Sequence, residues 1–104
     1  MNQARSTLTT PAMVVDWPTI ITDMQWLLGE DVPGSQGVTM REPIGTRAMA
    51  VQLGVSRDLV RNWLNGTRVE HSHGEMLIAR WCSLTGKVRA FLPMTRRVFS
   101  ASKA

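Results

Sequence analysis

The sequence predicts an all-α protein, a small bundle of four to five helices in which two short helices meet at a sharp joint. Three observations lead there. Apolar residues recur at i, i+3 and i+4 through much of residues 16–87. Proline and glycine cluster between these periodic stretches and cut them into helix-sized pieces. A length of 104 residues with 43% hydrophobic content suits one small globular domain with tails.

The first fifteen residues mix Ser, Thr, Pro and Gln with little periodicity and read as a flexible arm. "DWPTIITDMQWLLGE" reads as the first helix: Asp16 caps it and Pro18 lies in the first turn, where its missing N–H is harmless. Ile20, Ile21, Met24, Leu27 and Leu28 form its apolar face, and Gly29 marks its stop. "DVPGSQGVTMREPIG" is a connection, long for a link between packed helices, within which "GVTMRE" has the makings of a short strand. "TRAMAVQLG" supplies a second helix with Met49, Ala50 and Leu53 on one face. "HGEMLIARWCSLTGK" supplies a further one, with Leu77, Ile78, Trp81 and Leu84 inward and Gly86 as its stop. Residues 88–104 contain four basic side chains and no acid; Pro93 interrupts any helix, so they read as a basic tail.

The joint lies in "AVQLGVSRDLVRNWLNG", residues 50–66. Glycine inside a helix costs about 1 kcal/mol relative to alanine, and Gly54 sits where a single helix would need its interior. Two helices remove the conflict. Gly54 turns the chain with a positive φ, Val55 plugs the angle, and Ser56 caps the new helix. Val60, Trp63 and Leu64 then form its apolar face, and Asn65-Gly66 ends it. Ala50 is small where the two helices approach. The pattern is a helix-turn-helix over residues 46–66 within a domain spanning 16–87.

Charge points the same way. In residues 1–45, Arg5 and Arg41 stand against Asp16, Asp23, Glu30, Asp31 and Glu42, a net of −3. Residues 46–104 carry ten basic side chains against Asp58, Glu70 and Glu75, a net of +7. Ten of the twelve basic residues are arginine, whose planar fork suits phosphates and guanine edges.

On these residues, "TRAMAVQLGVSRDLVRNWLNG" resembles the helix-turn-helix of the lambda-repressor and Cro-like regulators of phages and prophages, with Ala50, Gly54, Ser56, Val60 and Trp63 in their expected places. "HSHGEMLIARWCSLTGK" resembles, less sharply, the helix that closes the core in some of them. The long 31–45 connection departs from the family's tight turn and makes Gly45 or Thr46 start the second helix. The resemblance implies that the helix after Ser56 enters the DNA major groove, N-terminal residues foremost. The base-reading set is then Ser56, Arg57, Asp58, Arg61, Asn62 and Asn65. Arg57 is the first choice for guanine O6 and N7, Asn62 suits adenine, and Arg61 a guanine or a flanking phosphate. Asp58 either accepts from cytosine N4 or, the preferred role, favours the helix dipole and holds Arg61. Thr46, Arg47 and Arg68 are the phosphate candidates; for Arg96 and Arg97 in the tail, reach to a phosphate stays an open alternative.

The implied partner is double-stranded DNA, bound by a homodimer on a pseudo-palindrome, with Phe91, Leu92, Met94, Val98 and Phe99 as the best dimer surface. The rivals are a protein-interaction module using the helix-turn-helix as scaffold, as in an antitoxin, and a replication or packaging accessory. No cofactor is expected. His71, His73 and Cys82 have no established zinc spacing, and no catalytic constellation is legible, so the chain is not expected to be an enzyme. A lone cysteine, no signal-peptide pattern and no apolar run near the roughly 18–20 residues of a membrane span suggest a cytoplasmic protein. Arg41 and Arg80 are read as solvated charges.

Overall fold

A computed structural model of the chain describes residues 12–97. In chain order it contains β1 (Ala12–Val15), α1 (Trp17–Leu27), β2 (Glu30–Pro33), β3 (Thr39–Glu42), α2 (Thr46–Leu53), α3 (Arg57–Leu64), α4 (His71–Thr85) and β4 (Met94–Arg97). Short 3-10 turns occupy Ser35–Gly37 and Arg89–Phe91. The fold is therefore α+β, and the all-α expectation is corrected. The four α-helices are joined by two antiparallel two-stranded sheets, β1 with β4 and β2 with β3.

The physical reasons for the two sheets differ. β2 and β3 are a local hairpin closed by Pro33 through Gly37, with Val38 donating its N–H to Ser35 and Gln36 at a φ of 57°. Four-residue strands are too short to show a two-residue period against such turn-rich flanks. β1 and β4 are distant in sequence and pair from Ala12 opposite Arg97 to Val15 opposite Met94. No local pattern announces such a partner. What reads as an arm and a tail is, over these residues, one ribbon.

The helices begin and end for the reasons their sequences suggest. Asp16 caps α1, its carboxylate accepting from the Thr19 N–H at 3.2 Å and from the Thr19 hydroxyl at 2.8 Å. Gly86 ends α4 with a φ of 74°. Gly29 has another task beyond stopping α1: the hairpin returns against it, so closely that a Cβ there would lie 1.9 Å from the Glu42 carbonyl oxygen. Gln25 secures the same junction. Its backbone C=O accepts from the Ile44 N–H at 3.0 Å and its side chain donates to the Ile44 C=O at 3.1 Å.

One core unites the helices. Ile20, Ile21 and Met24 of α1, Met49, Ala50 and Leu53 of α2, Val60 and Trp63 of α3, and Leu77 and Trp81 of α4 are buried together. α1 packs against both α3 and α4. The Trp81 indole N–H finds a partner in the Asp23 carboxylate at 3.2 Å, so burying it strands no donor. Trp17 covers the start of α4 at Gly74, where a Cβ would sit 3.2 Å from the indole. Among the described residues, no helix is long and apolar enough to cross a membrane.

Gly29→Ala should be among the most damaging single-methyl additions in this chain. The backbone of Glu42 must move to admit it, and overpacking of this kind costs about 1–3 kcal/mol. Urea unfolding should show the lower midpoint, while Gly45→Ala, whose Cβ meets nothing within 4 Å, should lower it less, losing only the preference of a helix N-cap for glycine over alanine.

Candidate functional site

The joint at Gly54 sets the relation of α2 to α3. Gly54 lies in the left-handed region at φ 72° and ψ 32°. The Val55 N–H then reaches back to the Ala50 C=O at 3.0 Å, closing the C-terminus of α2. Ser56 is extended, and its hydroxyl oxygen accepts from the Leu59 N–H at 3.1 Å, starting α3. Val55 is half-buried and packs on the core between the two helices.

α3 is held by one face. Val60 is fully buried and Trp63 is 1% exposed, with Leu59 and Leu64 half-covered beside them. The Trp63 ring also meets His73 of α4, with centroids 5.3 Å apart. Anchoring at i and i+3 fixes the rotation of the helix, so its opposite face is held outward. That face presents Arg57, Asp58, Arg61 and Asn62, and Asn65 follows as the C-cap; all are exposed. Ser56 is exposed as well, but its hydroxyl is engaged as the cap. Asp58 stands in the first turn, where a negative charge favours the dipole, and its carboxylate lies 3.7 Å from Arg61.

The phosphate candidates are more scattered. Thr46 is half-buried and Arg47 exposed at the start of α2. The cap position there is Gly45, which offers no side chain to the helix's first N–H groups. Glu30 and Glu42, however, line a cleft of about 300 Å³ with Gly45 and Ala48. Their carboxylates give that flank an acidic character. Arg68 is exposed in the turn after α3.

The arginines sort by whether the protein already uses them. Arg41, read from sequence as a solvated charge, donates to the Trp26 and Leu27 carbonyls at the end of α1 and pairs with Asp31 at 3.2 Å. Arg80, read the same way, donates to the Gln52 C=O and ties α4 to α2. Arg41 is exposed and Arg80 half-buried, and both cations also close helix C-termini across the fold, a role invisible without the tertiary contacts. Arg89 forms a two-pronged pair with Glu75 at 3.0 and 2.9 Å. Those hydrogen bonds hold the Glu75 carboxyl below its ordinary value, so the pair's stabilisation is present above the usual carboxylate range and is lost as pH falls through the lowered value. Among the described residues, Arg47, Arg57, Arg68 and Arg96 have no such hydrogen-bond or ion-pair partner.

Of the suggested dimer surface, Phe91 and Met94 are exposed and Leu92 packs against the core; Val98 and Phe99 lie outside the described residues. No group of three or more His, Cys, Asp or Glu side chains among the described residues is placed to hold a metal ion.

Three substitutions at two positions test the joint. A Cβ at Gly54 would meet nothing within 4 Å, so Gly54→Ala should cost only the left-handed strain, about 1–2 kcal/mol. Gly54→Asn should cost less. Ser56→Ala should cost about 1 kcal/mol through the lost cap. Thermal melting of the three variants checks all of these.

No protein-family model, no curated protein and no solved structure matches this chain.

Proposed function

We propose that this protein binds double-stranded DNA in a sequence-specific manner through α3, and that it regulates transcription by occupying an operator, in the manner of the lambda-repressor and Cro-like regulators its sequence resembles. The observation that carries the reading is the outward face of α3. A helix pinned by Val60 and Trp63 displays Arg57, Arg61 and Asn62 side by side, and Arg57 has no protein group to satisfy its guanidinium among the described residues. Arginine and asparagine are the side chains that make paired hydrogen bonds to guanine and adenine in the major groove. Arg61, shared with Asp58, is the adaptable member of the set.

One such helix reads only a few base pairs, so two copies on half-sites about 34 Å apart, one DNA turn, supply the affinity of a regulator. Arg47 and Arg68 flank α3 and fix its register on the backbone. A second reading, a protein-interaction module, draws on the hairpin, where Val38 and Met40 are 58% and 55% exposed.

Selection from a randomised duplex pool, with sequencing of the bound fraction, tests the proposal. An inverted repeat is the expected outcome. Arg57→Ala should then weaken binding by about 1–3 kcal/mol, with the loss concentrated at one position of each half-site. Failure of the wild-type protein to bind any duplex at low salt overturns the DNA reading and leaves the hairpin as the surface to probe.

A further inference from the structure

We infer that Arg80 is a positioning residue for base reading: its hydrogen bond to the Gln52 carbonyl braces the end of α2 against α4 and so fixes the angle at which α3 leaves the joint. The inference rests on the DNA reading above and deepens it, because Arg80 lies outside the helix-turn-helix.

Gly54 permits the turn but does not hold it. A glycine at a φ of 72° has wide freedom about that value, so the angle between α2 and α3 depends on what anchors each helix. The core takes Met49, Ala50 and Leu53 from α2. The other side of its last turn has no such support: Val51, Gln52 and Gly54 are all exposed. Backbone bonds close part of that end, with the Gly54 N–H donating to the Val51 C=O at 3.3 Å and the Val55 N–H to the Ala50 C=O at 3.0 Å. The Gln52 C=O, two residues before the joint, accepts instead from the Arg80 guanidinium at 2.6 Å. A charged donor makes the stronger kind of hydrogen bond, and a cation is favoured at a helix C-terminus.

α4 carries the matching anchor for α3. His73 meets the Trp63 ring with centroids 5.3 Å apart. His73, Leu77 and Arg80 are spaced i, i+4 and i+7, so they lie along one face of α4, with Leu77 fully buried between the other two. Two turns of helix, about 10 Å, separate the grip on α3 from the grip on α2. One helix of 15 residues therefore spans the joint and holds both of its arms. Arg41 is the chemical counterpart of Arg80, since it closes the end of α1 by donating to the Trp26 and Leu27 carbonyls. Among the described residues, none of its hydrogen bonds reaches α2 or α3.

The test compares affinities of the full-length protein, well below its melting temperature, for the selected duplex and for one with a single substituted base pair in each half-site. In Arg80→Ala the ratio of the two should fall about tenfold, within the range that one bidentate base contact supplies, while the slope of log K against log salt stays unchanged. Arg80→Lys, which keeps a charged donor, should recover most of the discrimination. Arg41→Ala should lower the melting temperature and leave discrimination as in the wild type. Amide exchange reads the brace without DNA. Relative to the core amide of Leu77, the Val55 and Leu59 N–H groups, which close α2 and cap α3, should exchange about tenfold faster in Arg80→Ala, the equivalent of one such hydrogen bond, and unchanged in Arg41→Ala. Undiminished discrimination in Arg80→Ala overturns the positioning role and leaves α3 readout standing. So does intact discrimination with a slope reduced by about 0.9, which marks a direct phosphate contact. Unchanged exchange at Val55 and Leu59 overturns the brace itself. Absence of any wild-type duplex binding overturns the DNA reading, and the exchange result then decides the brace alone.

Discussion

Everything α3 displays depends on how it is pinned: Trp63 and Val60 are buried against α1, α2 and α4 at helical spacing, and the left-handed residue Gly54 directs the chain into that position. A helix of eight residues has little stability of its own in water, so its direction and rotation are borrowed from the core. Removing Trp63 would leave a large void there; removing the positive φ at Gly54 would strain the turn. Either change acts on the exposed arginines without touching them. That coupling explains why packing residues and candidate reading residues alternate within one short stretch.

The same economy governs the positive charges. A basic protein of this size could carry its arginines as an undifferentiated surface, yet the fold consumes several of them. Arg41 and Arg80 close the ends of α1 and α2 by donating to their last carbonyls, and Arg89 clasps Glu75. Cations are favourable at helix C-termini, where carbonyls lack partners. The arginines left without a protein partner among the described residues lie on α2, on α3, just after it, and on β4.

The two sheets meet different parts of the helix-turn-helix. The β2/β3 hairpin fills the link between α1 and α2 and brings Glu30 and Glu42 against the start of α2, giving that flank an acidic border. The β1/β4 ribbon stands beside the turn that follows α3, with Val14 and Thr95 facing Gly66, Thr67 and Arg68 across a cleft.

By itself the sequence determined what depends on neighbours a few residues apart. The Asp16 and Ser56 caps, the Gly54 joint, the glycine stop at Gly86 and the 3, 4 spacing of the buried faces all follow from local hydrogen bonding, φ preference and helical periodicity. The outward placement of Arg57, Arg61 and Asn62 follows in turn, because a helix with one apolar face has one way to turn. Tertiary structure alone decided the rest. β1 finds β4 across most of the chain, a pairing with no local signature. Arg41 and Arg80 are structural because their carbonyl partners arrive from other elements. Gly29 is needed for the closeness of Glu42, and not only as a helix end. In each case the deciding atom belongs to a residue distant along the chain, and only the folded backbone brings it within reach.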